Sequence, residues 1–293
     1  GTYNLSPEAA ITLGGINVGD TLTGLTAFEI LEDLLVPTLF PTLTAPSNTF
    51  GDDQPSILEV GTTASTINFT ATFDRGSISP AYGTSGFRSG PANTYNYSDN
   101  GNVDQSLPAT DASTTSPNSQ SLTDVVILEG NNTWTSTVSY DAGEQPLDSD
   151  GGNFNSPLAA GTTGSQSVTI NGIYPIFYGT QIGAVTPNNA LLASGTKSLT
   201  TAGTSLTINF GGAISGEYVW FAVPTGTKYL TWIEPSNVSN NGEISDTDTS
   251  DLYDFSDNIL LDSPDSFWTS IGYDVYFTRL ATTYNSGIVQ FDK

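Results

Sequence analysis

The sequence contains no cysteine and no histidine, and these two absences exclude several kinds of site. Without cysteine the chain has no disulfide bond, no thiolate metal ligand and no thiol nucleophile. Without histidine it has no Ser-His-Asp triad, no imidazole zinc site and no imidazole acid–base group. A pair of carboxylates, as in glycosidases, is the enzyme chemistry that remains. Nothing in the local sequence singles out such a pair, so we predict a protein that is not an enzyme.

Positive charge is scarce as well. Six lysines and arginines stand against thirty acidic residues, which gives a formal net charge of −24 over 293 residues. Phosphate backbones and anionic lipid surfaces bind clustered basic side chains, whereas these six are scattered. No apolar run approaches the roughly 20 residues that span a bilayer. We therefore expect neither nucleic acid nor an inserted membrane segment as a partner.

The residues that are present are typical of an extracellular β-protein. Aromatic residues make up 11% of the chain and charged residues 12%, so real hydrophobic cores are expected under a surface of serine, threonine, asparagine and glycine. The chain starts at Gly1 without a methionine, from which we expect a processed product or a piece of a longer protein.

The stretch of residues 14–41 is the one place where the sequence favours a helix. Thr26 and Glu29 have the spacing of a capping box, and Pro37 ends the helix. Apolar side chains cover most of this short helix, so it must pack against something. Two partners remain open, the following β-domain or copies of the helix around a symmetry axis. The side chains that we expect to form the oligomer contact are Phe28, Leu31, Leu34 and Leu35.

Everything after this segment has the pattern of strands and turns. Residues 67–73 alternate apolar and polar, which predicts a strand with one buried face. Residues 80–120 have no sustained period and predict long surface loops. Residues 122–128 are nearly all apolar and predict a strand covered on both faces, in a hairpin with residues 134–140. Val168 and Ile170, followed by residues 173–178, supply the closing strands of this domain.

A second run of strands begins after about residue 179. The predicted strands are residues 206–210, 218–223, 229–233, 271–277 and 288–291. Short strands separated by turn signals favour β-sandwiches over an α/β fold. We predict a mainly β protein, with a short N-terminal helix followed by two β-sandwich domains of immunoglobulin-like or jelly-roll-like type. The boundaries are 1–43 for the arm, helix and proline-rich connector, 44–179 for the first sandwich and 180–293 for the second.

Three segments resemble a known class of protein. They are GGINVGDTLTGLTAFEILEDLLVPTLFP at residues 14–41, EVGTTASTINFTATFDRGSI at 59–78 with SVTINGIYPIFYGT at 167–180, and GEYVWFAVPTGTKYLTWIEPSN at 216–237 with SIGYDVYFTRL at 270–280. Together they are similar to structural proteins of tailed-bacteriophage virions, in particular fibre or appendage-like proteins of heads or tails. These segments make up about a third of the chain and include no catalytic signature.

The resemblance implies a virion or extracellular location, a homotrimer or another symmetric assembly, and contact with other virion proteins. It also implies anchorage at one end and contact with the host surface, such as a glycan, at the other. A secreted carbohydrate-binding or adhesin module is the alternative from a different class, and a glycosidase comes third.

The sequence offers a few candidate binding sites besides the helix. Asp148, Asp150, Asn153 and Asn155 have the alternating oxygen donors that calcium prefers, although a solvated turn explains the same pattern. No other cofactor is expected. A looser version of this loop contains Asp99, Asn102 and Asp104, and an acidic run covers residues 243–257.

Tryptophan is the residue type that we consider for stacking on sugar rings. Trp134, Trp220 and Trp232 lie in strand patterns and are expected in the core. Trp268, in the polar context DSPDSFWTS, is the exposed candidate for ligand binding.

Overall fold

The structure of the protein, a computed structural model, describes Thr26, Phe28, Leu31 and residues 38–199, 206–209, 214–226, 253–278, 282–284 and 288–291. Strands and the loops between them make up nearly all of these residues, which confirms the prediction of a mainly β protein. Most of the predicted N-terminal helix and all of the predicted strand 229–233 lie outside the described residues. Among those residues, no helix has the length and hydropathy needed to cross a membrane.

The first part of the chain forms two facing sheets. Its strands are β1 (Thr42–Leu43), β2 (Ser47–Asp52), β3 (Ile57–Glu59), β4 (Thr63–Asp74), β5 (Ile78–Ser79), β6 (Ala92–Asp99), β7 (Thr110–Asp111), β8 (Asn118–Val126), β9 (Gly130–Tyr140), β10 (Gly161–Thr162) and β11 (Gln166–Ile173). One sheet has the order β2–β4–β8, and the other has the order β3–β11–β9–β6–β7 with β10 beside β9. β3 and β11 are parallel, and β1 pairs with β5.

The core of this first sandwich forms because alternate residues of its strands are apolar. Four side chains of β4 are buried between exposed polar neighbours, as the alternation predicts: Ile67, Phe69, Ala71 and Phe73. The ring centroids of Phe69 and of Trp134 on β9 lie 5.1 Å apart. Trp134 is fully buried, which confirms its prediction as a core residue. Burying one phenylalanine contributes about 2 kcal/mol relative to exposure, so this row holds the two sheets together.

The predicted hairpin of residues 122–128 with residues 134–140 is wrong. β8 pairs with β4 in one sheet, whereas β9 pairs with β6 and β11 in the other. Residues 127–129 therefore carry the chain across the core from one sheet to the facing one. β8 is also an edge strand with Asp124 exposed and Leu122 only partly buried, so it is not covered on both faces.

The predicted long loop of residues 80–120 contains a central strand, β6. Tyr95 and Tyr97 alternate with polar residues and face the core. The Tyr97 hydroxyl donates a hydrogen bond of 2.6 Å to Asn118 Oδ1. Two aromatic repeats in a stretch rich in serine, glycine and proline were too short a pattern to identify this strand from the sequence.

The second part of the chain is built on another sheet. Its elements are β12 (Ile176–Gln181), α1 (Asn189–Ser194), β13 (Thr196–Ser198), β14 (Leu206–Asn209), β15 (Ile214–Pro224), β16 (Tyr253–Leu261), β17 (Ile271–Thr278), β18 (Thr282–Tyr284) and β19 (Ile288–Phe291). The sheet has the order β13–β12–β15–β17–β16 with β18 beside β15, and β14 pairs with β19 separately.

A second hydrophobic cluster lies on one face of this sheet. Trp220 of β15 is fully buried there, in agreement with its prediction as core, beside Leu191 and Leu192 of α1. Asn188 caps α1, because its Oδ1 accepts the N–H of Leu191 at 3.0 Å. This six-residue helix has too few turns to give a periodic pattern and was missed in the sequence.

The chain passes from the first part to the second at Tyr174 and Pro175. The predicted boundary between residues 179 and 180 falls inside β12. Pro175 has no N–H to donate to a ladder, so it separates β11 from β12. Its carbonyl accepts a hydrogen bond of 2.9 Å from the Tyr273 hydroxyl, which ties the link to β17.

The two ends of β9 mark the two ends of the first sandwich. At one end Gly130 pairs with Gly172 of β11, next to the parallel strand β3. At the other end Tyr140 pairs with Gly161 of β10, next to the loops of residues 75–90 and 141–158. These two ends carry the features described below.

Tyr97 gives a test of the first core. Burial, and to a smaller extent the charge of Asp111, raise the pKa of Tyr97 to about 12. An unfolded tyrosine ionises near pH 10, so between about pH 10 and pH 12 the unfolded state has lost a proton that the folded state keeps. The free energy of unfolding should therefore fall with pH in this window, and Tyr97→Phe should remove that loss.

The measurement is urea unfolding of both proteins at pH 8 and at pH 11. At pH 8 the wild type should be more stable by about 1 kcal/mol, from the hydrogen bond to Asn118. The advantage should shrink or reverse at pH 11. An advantage that stays constant with pH would contradict the assignment.

Candidate functional site

A buried carboxylate joins the two parts of the chain. Glu59, the last residue of β3, is 3% exposed. Its Oε2 lies 2.7 Å from Lys197 Nζ on β13, and its Oε1 accepts the indole N–H of Trp268 at 2.9 Å. The Ser263 hydroxyl donates to the same Oε1 at 3.4 Å. We call these residues, together with Asp265, the Glu59 junction.

Lys197 is paired twice in the Glu59 junction. Its Nζ also contacts Asp265 Oδ2, so two carboxylates share one ammonium group. Partial burial acts to lower the pKa of Lys197, but the hydrogen bonds to Asp265 and Glu59 outweigh it and hold the pKa above its ordinary value. Within the described residues, the ion pairs are the two that Lys197 makes. The junction therefore has one negative charge in excess, and each of its charged groups is already paired.

The backbones of the two parts also touch at the Glu59 junction. Gly61 has a φ of +80°, and a Cβ atom there would lie 1.9 Å from the carbonyl oxygen of Phe267. Only glycine fits this close approach. Tyr174 adds an edge-to-face contact with Trp268, with the ring centroids 5.7 Å apart. The geometry of the junction is thus that of a structural joint.

The expectation that Trp268 is exposed is wrong. Its side chain is 6% exposed and stacks on Tyr273 with centroids 5.4 Å apart, while its N–H is used by Glu59. The polar residues around it in the sequence form the loop that covers the joint. With one face against Tyr273 and an edge against Tyr174, the ring has no open face for a sugar.

The predicted oligomer residues are described only in part. Phe28 and Leu31 are 72% and 51% exposed, respectively. Leu34 and Leu35 lie outside the described residues. Further along, Leu39 and Phe40 are 54% and 55% exposed. These exposures leave the self-association hypothesis open.

The loop with Asp148, Asp150, Asn153 and Asn155 is closed by its own hydrogen bonds. Asp148 Oδ1 accepts the backbone N–H groups of Asp150 at 3.0 Å and of Gly152 at 2.7 Å. Asn153 and Asn155 are exposed. In the part of the chain that the structure describes, no three acidic side chains converge as a metal site would need. The calcium hypothesis gains no support from this geometry.

This loop instead holds the segment that leads into the first sandwich. Thr38 Oγ1 donates to Asp150 Oδ2 at 2.5 Å, and the Leu39 N–H donates to Ser149 Oγ at 2.8 Å. The Ser149 N–H donates back to the Leu39 carbonyl at 2.9 Å. We call these contacts the connector clamp. It lies at the Tyr140 end of β9.

The other acidic segments have local roles or lie outside the described residues. Asp99 accepts the Gly101 N–H at 2.8 Å and the Ser106 hydroxyl at 2.6 Å, and Asp104 accepts the Val126 N–H at 3.2 Å. The two contacts of Asp99 are local, and the contact of Asp104 ties this loop to β8. Most of the run 243–257 is outside the described residues, and nothing is described of its side chains.

One pair of neighbouring carboxylates has pKa values shifted in opposite directions, the pattern expected of an acid and a base. Burial raises the pKa of Asp52, whereas hydrogen bonds from Asn68 and Gln54 lower the pKa of Asp53 to about 2. Asp53 accepts the Asn68 N–H at 3.0 Å and its side-chain amide at 2.7 Å. These bonds tie the residue after β2 to the middle of β4, so they give the shift a structural cause.

A surface group that the sequence did not single out lies at the same end of the first sandwich as the connector clamp. Phe87 is 43% exposed, and Arg75 Cζ lies 4.0 Å from the centre of its ring. Arg88 is the next residue. We call Arg75, Phe87 and Arg88 the Phe87 platform. The signal available in the sequence was the FR pair at residues 87 and 88 in a chain with so few basic residues.

Comparison of the chain with protein-family models, with curated proteins and with solved structures found no match.

We expect Glu59→Gln to weaken the joint between the two parts. The neutral amide removes the negative charge that pairs with Lys197. Its NH₂ group also faces one of the two donors, Lys197 or Trp268, that the carboxylate accepts from. Breaking a buried ion pair costs roughly 3–5 kcal/mol, and because Lys197 is about a third exposed we expect about 2 kcal/mol. Urea unfolding followed by tryptophan fluorescence measures this loss.

Asp124→Asn is the matched control for Glu59→Gln. It removes one negative charge at an exposed position whose φ of 53° asparagine tolerates. Its stability should stay within about 0.5 kcal/mol of the wild type. Equal losses in the two variants would show that Glu59 has no special role.

We expect Thr38→Val to open the connector clamp. The valine has the shape of threonine but no donor for Asp150. Losing a hydrogen bond worth about 1 kcal/mol should speed amide exchange at Leu39 about fivefold. Hydrogen exchange measured by NMR checks this, with Thr38→Ser as the control that keeps the hydroxyl. Unchanged exchange in Thr38→Val would mean that this contact does not hold the segment.

Proposed function

We propose that the chain is a non-enzymatic structural protein of a tailed-phage virion, a fibre or appendage that acts outside the cell. In this proposal a short helix and connector precede two β-sandwich domains. The partners are other copies of the chain, in a homotrimer, and other virion proteins. A host-surface glycan is the outward contact.

The serial attachment of the parts is the observation that carries this proposal. The connector clamp fastens the N-terminal segment beside the Tyr140 end of β9. The Glu59 junction fastens the second part beside the Gly130 end of the same strand. Attachment at opposite ends suits a projecting appendage, because such a protein transmits a position from its anchor to its far part. Nothing described at either end supplies reactive groups for catalysis.

The exposed apolar residues before the first sandwich support the trimer. Phe28 and Leu31 are more than half exposed on the single chain, and so are Leu39 and Phe40 further along the sequence. Exposed large apolar side chains are the kind of surface that an interface covers. Copies of the chain around an axis would cover them.

A secreted carbohydrate-binding module is the second candidate. The observation in its favour is the exposed Phe87 beside an arginine. A monomer with this surface would fit that class better than a virion fibre.

Light scattering of the intact chain and of Leu31→Asp separates the two candidates. We expect the intact chain to have the mass of a trimer and the variant to dissociate, since a buried carboxylate without a partner is unfavourable at an apolar contact. A monomeric intact chain would contradict the virion proposal and favour the secreted module.

Ile182→Asp is the control for this measurement. Ile182 is 87% exposed and belongs to the second part of the chain. The substitution adds the same charge to an exposed apolar position, and the trimer should survive it. Dissociation by both variants would point to charge repulsion instead of a local contact at Leu31.

A further inference from the structure

The backbone under the Phe87 platform is fixed. Phe87 forms an isolated β-bridge with Ser77, and the Ile78 N–H donates to the Gly86 carbonyl at 2.8 Å. Both contacts tie the Phe87 loop to the segment around β5. A loop that is already held in place loses less entropy when a ligand binds to it.

Both arginines of the platform keep free donors. Arg75 Nε and Nη2 donate to the Ser89 carbonyl at 3.0 and 2.9 Å, and Arg88 Nη1 donates to the Ser156 carbonyl at 3.1 Å. These partners are neutral. In the described part of the chain, neither guanidinium forms an ion pair with a carboxylate. A guanidinium has five N–H donors, so several remain on each for an outside acceptor.

A second cation over an aromatic ring shows the contrast. Lys197 Nζ lies 5.6 Å from the centre of the Phe267 ring, and Phe267 is 37% exposed. Lys197, however, is already paired with Glu59 and Asp265. The charge of Lys197 is thus neutralised by carboxylates of the protein. Among the described residues, the charges of Arg75 and Arg88 are not.

We propose that the Phe87 platform binds a pyranose that carries a carboxylate, a hexuronic or a sialic acid. The ring of Phe87 offers an apolar face to the C–H groups of the sugar, and a guanidinium holds a carboxylate through two parallel hydrogen bonds. Arg75 covers one face of the Phe87 ring, so the sugar would contact the part of the ring that Arg75 leaves exposed. This inference deepens the proposed function and rests on its contact with a host-surface glycan, which it places at the connector end of the first sandwich.

Glu144 is the acidic residue that competes with such a ligand. Its Oε2 accepts the Ser85 N–H at 2.8 Å. Hydrogen bonds from Ser85, and to a smaller extent the charge of Arg75, lower its pKa, so it stays negative near neutral pH. Removing this charge should therefore strengthen binding of an acidic sugar, an effect that a purely structural role of the arginines would not produce.

NMR titration of the full ¹⁵N-labelled chain tests the inference. The probes are methyl β-D-glucuronide and N-acetylneuraminic acid, with methyl β-D-glucoside as the neutral match. At least one acidic sugar should shift the Phe87 amide and the Arg75 Nε–H, with a Kd about tenfold lower than that of the glucoside. If neither acidic sugar shifts these signals, or if the glucoside binds equally well, the inference is wrong.

Four variants locate the binding. Phe87→Ala and Arg88→Gln should each raise the Kd about fivefold or more, and Glu144→Gln should lower it about twofold. Phe267→Ala is the matched control and should leave the Kd unchanged. A hexaglutamate peptide that shifts the same signals equally in the wild type and in Phe87→Ala, while the sugars do not bind, would replace the sugar with a general anion.

The result of the sugar titration can be distinguished from the result of the light-scattering test of the proposed function. A monomer that binds the acidic sugar through Phe87 would keep this inference and remove the virion proposal. A trimer that ignores both sugars would keep the virion proposal and remove this inference.

Discussion

The arrangement of the two parts of the chain depends on one buried carboxylate. Glu59 on β3 is almost without exposure, and a charge in that position is stable only when it is paired and hydrogen-bonded. Lys197 and Trp268 supply these contacts from 138 and 209 residues further along the chain. A shift of the second part would remove the partners of the carboxylate and of the indole N–H together, whereas Lys197 would keep its contact with Asp265. Gly61 allows the backbone of Phe267 to come close enough for these bonds. Polar geometry therefore fixes the position of the second part more tightly than apolar contact alone would, because apolar surfaces can slide and a hydrogen bond cannot.

The sequence predicted individual strands well and their partners poorly. The alternation in β4 identified its buried face, since that pattern is local to the strand. The partner of β8 is not a local property. The turn after β8 suggested a hairpin with β9, yet the chain crosses the core there.

The prediction that Trp268 is exposed was wrong for the same reason. Its neighbours in sequence are polar, whereas its burial depends on the distant residues Glu59 and Tyr273. Glu59 itself left a signal, as the acid within the apolar run ILEV of residues 57–60.

Loops of aspartate, asparagine and glycine pose a different difficulty. Asp148 and Asp99 have the neighbours that a calcium loop would have, but their oxygens accept backbone N–H groups two to four residues ahead. Composition cannot separate the two uses, since both need carboxylates next to residues that turn the backbone tightly. What separates them is whether the oxygens point toward one empty centre or toward successive N–H groups. Asp150 goes further, because its oxygen reaches Thr38 and so holds a segment that precedes it by 112 residues. The same residues that suggested an ion thus organise the start of the sandwich.

The local charges around the Phe87 platform explain how an acidic ligand could bind to such an acidic protein. A net charge of −24 repels an acidic sugar at long range. At physiological ionic strength, however, charges farther away than about 8 Å are largely screened, so a ligand at the surface responds mainly to its neighbours. At the ring of Phe87 this neighbour is Arg75, and Arg88 is the next residue in the chain. Neither arginine has a carboxylate partner among the described residues, and Glu144 is the opposing charge. The platform also lies at the connector end of the first sandwich, through the contact of Phe87 with Ser77. An acidic sugar would therefore bind at the end where the N-terminal segment enters, so anchorage and ligand contact need not be divided between opposite ends of the chain.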